Sequence, residues 1–150
     1  MKTQIIEVHT GGRETIRDIT GECAGFAATA AAGGDGLLHV FVPHATAGVA
    51  LIELGAGSDD DLLAVLEIGA HSDDDLLATL ADLLPADNRW RHAHGSPGHG
   101  RSHVLPAFLA PFATVPVVDG ELALGTWQSV VLVDVNVDNP VRTVRLSFLS

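Results

Sequence analysis

Residues 112–149 read FATVPVVDGELALGTWQSVVLVDVNVDNPVRTVRLSFL. Residues 112–118 and 121–125 are short β-prone runs joined by Asp119-Gly120, a pair suited to a two-residue hairpin turn. Residues 126–137 (TWQSVVLVDVNV) continue as one long strand. Alternation there predicts Val133, Val135 and Val137 facing inward and Asp134, Asn136 and Asp138 facing outward. Asn139-Pro140 then turns the chain into a last strand, 141–149. The links between these strands are short, as in largely antiparallel sheets.

Working outward toward the N-terminus, the same pattern returns. Residues 3–9 (TQIIEVH), 37–43 (LLHVFVP) and 49–54 (VALIEL) read as strands. In the second, Val40 and Val42 form an apolar row that ends at His44, and in the third Val49, Leu51 and Glu53 share a side. Residues 18–32 read as a helix with Thr20 as N-cap; Cys23, Phe26, Ala27 and Ala30 fall on one face, and Gly33-Gly34 stops it. Strands outnumber helices and most links are short. The predicted class is α+β: largely antiparallel sheets with a few helices packed on them, in a single domain spanning residues 1–150.

Between the two β-rich parts lie two unusual segments. LGAGSDDDLLAVLE (54–67) is followed at once by IGAHSDDDLLATLA (68–81), a tandem duplication with ten of fourteen positions identical. Each copy reads as a helix start, with Ser58 or Ser72 as N-cap and three aspartates near the positive end of the dipole. The second segment, WRHAHGSPGHGRSH (90–103), holds His92, His94, His99 and His103. Its glycines and proline predict a loop rather than a regular helix.

Composition excludes several function classes. The net charge of −11 and pI near 4.8 argue against binding to a nucleic-acid backbone or an anionic membrane surface, both of which need a basic face. No apolar run approaches the roughly 18 residues of a membrane span, and the first residues are too polar for a secretory signal. The single cysteine, Cys23, excludes an internal disulfide and reads as a small buried residue, consistent with a cytoplasmic protein.

Four groups of residues could carry chemistry. The histidines of the loop, with His44 at its strand end, are the side chains for an open divalent-metal site, typically zinc, in which three imidazoles leave a position for water or substrate. Among the acids Glu53, Asp61 and Asp75, Glu53 ends an apolar strand and can orient a histidine or act as a base. Thr126, Trp127 and Gln128 offer a hydroxyl, a flat ring and an amide for a heteroaromatic group. Arg142 and Arg145 are among the few cations able to meet a phosphate.

HVFVPHATAGVALIE, the WRH stretch, the His103 region, the PVVDG turn and LGTWQ occur in the order found in the YjbQ-like proteins. This group is also called UPF0047 or the secondary thiamine-phosphate synthase family, and the chain resembles it over about residues 5–149. The resemblance implies an α+β fold, a homotrimer and a metal-associated histidine site at subunit boundaries. It implies His44, His92 and His103 as metal ligands, with Glu53 and either Asp61 or Asp75 nearby. It implies Thr126, Trp127, Gln128 and Arg142 as the C-terminal part of the site. His94 and His99 have no counterpart and read as decoration on a glycine hinge. Ile52, Leu105 and Trp90 stand where the family has Asn, Lys or Arg, and Tyr, and the second SDDDLLA copy looks like an insertion.

The expected function is a thiamine-phosphate synthase-type transferase that joins a pyrimidine pyrophosphate to a thiazole phosphate at a divalent-metal site. One alternative is a metal-dependent hydrolase of a small ester or phosphate. Another is a non-catalytic trimeric binding protein. In each case the partner is a small molecule or another protein, with no nucleic acid and no membrane.

Overall fold

The computed structural model describes residues 1–54 and 72–150. Its elements are β1 (Lys2–His9), β2 (Thr15–Asp18), α1 (Thr20–Ala31), β3 (Gly36–Phe41), β4 (Ala47–Ile52), α2 (Ser72–Leu83), α3 (His99–Ser102), a 3-10 turn (Leu105–Ala107), β5 (Phe112–Val118), β6 (Glu121–Leu122), β7 (Ser129–Asp134) and β8 (Val141–Leu149). The duplication lies mostly outside the described residues. Its first copy, including Ser58 and Asp61, is not among them apart from Leu54, whereas the second copy supplies α2.

Two antiparallel sheets form, with strand orders β1-β8-β3-β5-β6 and β2-β7-β4. The class is therefore α+β, as the turn spacing predicts. One core lies between the sheets. It joins Cys23, Phe26, Ala27 and Ala30 of α1 to Leu38, Val40, Val115, Leu146 and Phe148 of the larger sheet and Val130 and Leu132 of β7. A second core lies on the other side of the smaller sheet, where Val131, Val133 and Val135 meet Leu80 of α2, Leu84 just after it, and Leu105. The histidine loop rests on this second side through Trp90 and Val104.

β7 thus has apolar neighbours on both faces, which corrects the alternation reading of 126–137. Asp134 and Asn136 do not face solvent; they are 0% and 2% exposed. The regular strand is also shorter than predicted. Gln128 Oε1 accepts the Gly125 amide at 2.9 Å and holds residues 125–128 in a turn. Beyond Asp134, side chains take over the backbone donors. Asp134 Oδ1 accepts the Asn136 amide at 2.9 Å and Asn136 Oδ1 accepts the Asp138 amide at 2.8 Å. Such side-chain turns compete with a sheet ladder and end it.

α1 keeps its predicted buried face, but Thr20 does not cap it. Ile19 occupies the N-cap position. The Thr20 hydroxyl instead accepts the Val130 amide at 2.9 Å, tying the helix to β7. The Asp119-Gly120 hairpin forms as expected, both residues having positive φ, 52° and 83°. Cys23 is buried, and burial, then Glu22 and Asp18, push its thiol up to about 12, so it stays protonated and inert at neutral pH.

Candidate metal centre

The loop after α2 is held by a few specific bonds. Trp90 Nε1–H donates to the Pro85 carbonyl at 2.8 Å. Arg101 is buried, donates Nη1–H to the Leu84 carbonyl at 2.9 Å and pairs with Glu14. Between these anchors the chain makes one helical turn, α3, so His99 and His103 stand four residues apart on one face. Gly100 is required there, since a β-carbon would overlap the Trp90 side chain and the His92 carbonyl.

Three histidines converge. One ring nitrogen from each of His92, His99 and His103 lies within 4.8 Å of the other two. His99 Nε2 and His103 Nε2 are 3.1 Å apart. The ring centres of His92 and His103 are 4.2 Å apart, and His94 stands at the rim with its ring 4.1 Å from that of His92. His92 and His103 are pushed below their ordinary value near 6.5, first by removal from water and then by neighbouring imidazoles, which keeps their lone pairs free at neutral pH.

Behind His99 stands Asp138. Its Oδ2 lies 2.5 Å from His99 Nδ1 and also accepts the Ser96 amide at 3.2 Å. The Ser96 amide, then His99, hold the Asp138 carboxyl below the ordinary carboxylate range. A carboxylate on Nδ1 fixes the ring with its proton there and leaves the Nε2 lone pair for a ligand. Three imidazoles, one braced in this way, fit a divalent cation of the zinc type with an open position. Asp138 itself is held by the Asp134–Asn136–Asp138 series, and Asp134 is held by Arg142, whose Nε and Nη2 donate to it at 2.6 and 2.9 Å.

His44 is placed differently. Its Nε2 accepts the Thr143 amide at 3.0 Å, and the ring borders a cavity of about 310 Å³ beside the cluster. Partial burial, then the Arg142 charge, lower its pKa, with Asp134 opposing. Of the residues expected in the site, His92 and His103 are brought together, and His44 and Arg142 line the adjoining cavity. Glu53 is exposed beyond the end of β4, and Asp75 is exposed on α2. Thr126, Trp127 and Gln128 are exposed, Trp127 by 68%, and none lines that cavity.

His99 belongs to the cluster although the loop reading treats it as decoration. The signal for it was the i, i+4 spacing of His99 and His103, which puts two imidazoles on one face as soon as a single turn of helix forms. Asp138 was also missed, because alternation along 133–138 directs it to solvent.

A family model described as UPF0047 protein YjbQ-like matches residues 4–150. The chain belongs to this family. A UPF0047 protein of Mycobacterium tuberculosis is 54% identical over 149 residues, covering 99% of this chain and 98% of the relative. One from Methanothermobacter thermautotrophicus is 28% identical over 146 residues, 97% of this chain and 90% of the relative. Among solved structures, a YbjQ-like protein of unknown function from Sulfolobus solfataricus P2 superposes with a TM-score of 0.82 at 22% identity, covering 99% of this chain and 96% of that one. A hypothetical protein from Aeropyrum pernix K1 gives a TM-score of 0.78 at 30% identity, with 100% and 99% covered. The described residues thus share the YjbQ-like fold. Among the described residues, no helix is long and apolar enough to cross a membrane.

Proposed function

We propose that this UPF0047 protein is a divalent-metal enzyme of the thiamine-phosphate synthase type, with His92, His99 and His103 as ligands. The observation that carries the metal centre is the convergence of three imidazole nitrogens within 4.8 Å with Asp138 braced behind one of them. The reaction type comes from the family resemblance. In it a C–N bond forms between the thiazole nitrogen and the pyrimidine's methylene carbon. The C–O bond to pyrophosphate breaks, and its electron pair leaves with the pyrophosphate.

When bound, a divalent cation would supply Lewis acidity to offset charge on the departing group. The chain's own residues orient the ligands and border the reaction space. Asp138 keeps the His99 ring in place, and His44 and Arg142 face the cavity beside it. Zinc is the ion best matched to an all-imidazole set.

The proposal includes a cytoplasmic homotrimer with the site at a subunit boundary. The open face of the larger sheet exposes Ile5, Leu37, Phe112 and Leu149, and the GTWQ turn exposes Trp127, all of which contact between copies would cover. Light scattering then gives three times the 15.6 kDa chain mass.

The test is product analysis on zinc-loaded protein. A synthase forms product only with both the pyrimidine pyrophosphate and the thiazole phosphate present. The exposure of His92 and His103 gives water access and favours a second reading, a metal-dependent hydrolase. That enzyme releases phosphate or pyrophosphate from one substrate alone. Zinc-loaded protein that turns over neither sinks both readings.

A further inference from the structure

The cavity beside the histidine cluster collects donors that lack acceptors. The chain carries 19 acidic residues against 8 lysines and arginines, yet no carboxylate lines this cavity among the described residues. Asp134, which pairs with the lining residue Arg142, has both oxygens engaged by Arg142 and the Asn136 amide. Arg142 Nη1 makes no hydrogen bond among the described residues, and the side chain is only 2% exposed. Asn136, also on the cavity wall and buried, has no acceptor for its Nδ2 there.

His44 adds a third donor. Because Nε2 accepts the Thr143 amide, the lone pair is used at that nitrogen, and the proton of the neutral ring sits on Nδ1. An imidazole in this tautomer donates a hydrogen bond through Nδ1; it has no second lone pair to give a cation. Arg142, Asn136 and His44 therefore line one cavity, each with unused donor capacity. A buried donor without a partner is costly, and a small oxyanion satisfies several at once.

We propose that this cavity is an oxyanion subsite for a phosphoryl group, in which His44 is a hydrogen-bond donor to the substrate rather than a metal ligand. The identity of the substrate rests on the metal-enzyme reading above; binding of the anion does not. Thr46, buried on the same wall, adds a hydroxyl that can donate to it.

Calorimetric titration of the folded protein with inorganic phosphate, with and without prior zinc loading, tests this. Phosphate is expected to bind once per chain and to be preferred over acetate. His44→Ala should weaken it roughly tenfold, in line with loss of a bond to a charged group, and leave zinc stoichiometry unchanged. His44→Gln should largely restore binding, because its amide can both accept the Thr143 N–H and donate into the cavity. Loss of zinc from a folded His44→Ala protein overturns the proposal by making His44 a ligand. So does equal phosphate affinity in wild type and His44→Ala, or no phosphate binding by wild type. Phosphate binding in a wild type that takes up no zinc overturns the metal centre instead and leaves the subsite standing.

Discussion

His99 and His44 border the same cavity, and in each a partner outside the histidine cluster holds one ring nitrogen. At His99 the partner is a carboxylate on Nδ1, so the ring presents a lone pair at Nε2. At His44 the partner is a backbone amide on Nε2, so the ring presents a proton at Nδ1. The same side chain is thus prepared for opposite tasks by what stands behind it. Residue type predicts neither role; the neighbour at the second nitrogen does.

Asp134 and Arg142 lie beneath both histidines. Asp134 starts the side-chain series that reaches Asp138 and His99, and Arg142 shares the cavity wall with His44. Asp134→Ala leaves a buried guanidinium unpaired and should cost about 3–5 kcal/mol of stability, read from the urea unfolding midpoint. The double replacement Asp134→Leu with Arg142→Met should recover most of that loss, because no lone buried charge remains. A single variant that loses less than about 1 kcal/mol, the scale of an exposed pair, would show that the pair is solvated and does not support the two histidines together.

Zinc affinity separates the two rings next. His99→Ala should weaken zinc more than Asp138→Asn, for which the expected loss is roughly 10–100-fold, the range for a ligand's supporting carboxylate. Competition with a chromogenic chelator measures both. Should Asp138→Asn leave affinity unchanged, the carboxylate is not what prepares His99, and the contrast with His44 collapses. His94→Ala, at the rim of the cluster, should lose less than Asp138→Asn.

Acid titration gives the contrast a pH signature. His44, His92 and His103 all have folded-state values below 6.5, so the unfolded chain takes up protons first as the pH falls. The stability this represents is present above about 6.5 and is lost below it. Asp138 is also lowered, from 3.8, so its contribution survives the histidine window and is lost only as the pH falls below that value. Denaturation followed from pH 8 to pH 2 should show two stages. Asp138→Asn should diminish the acidic one, to which Asp87 beside Arg89 also contributes, and leave the histidine stage.

Much of this architecture was legible because it rests on periodicity. The buried face of α1, the Val40–Val42 row leading to His44 and the Asp119-Gly120 hairpin all follow from spacing and from residues suited to positive φ. Alternation fails at Asp134 and Asn136 for a physical reason. It tells which residues share a face but not whether that face meets water or a second layer. Here α2 and the histidine loop cover the face of Val131, Val133 and Val135, and the face of Val130, Leu132 and Asp134 meets the larger sheet, where Arg142 of β8 pairs with Asp134. The site was half legible. His92 and His103 could be read from histidine density, but His99 depends on one turn of helix set between glycines, and Asp138 on a side-chain series that bends the chain out of β7.

The GTWQ turn extends the comparison to Trp127, whose indole makes no hydrogen bond among the described residues. Trp127 is 68% exposed, whereas each histidine has a ring nitrogen held by a carboxylate or a backbone amide. In an isolated chain, Trp127→Ala should change stability by no more than about 0.5 kcal/mol, as for other surface substitutions. Burial against a second copy makes the effect depend on protein concentration, because association adds to apparent stability by mass action. Thermal unfolding at two concentrations a hundredfold apart distinguishes these cases. A wild-type midpoint that rises with concentration more than that of Trp127→Ala assigns the ring to a contact between copies. Equal concentration dependence in the two proteins leaves the ring outside any contact that holds copies together, available only to a small molecule.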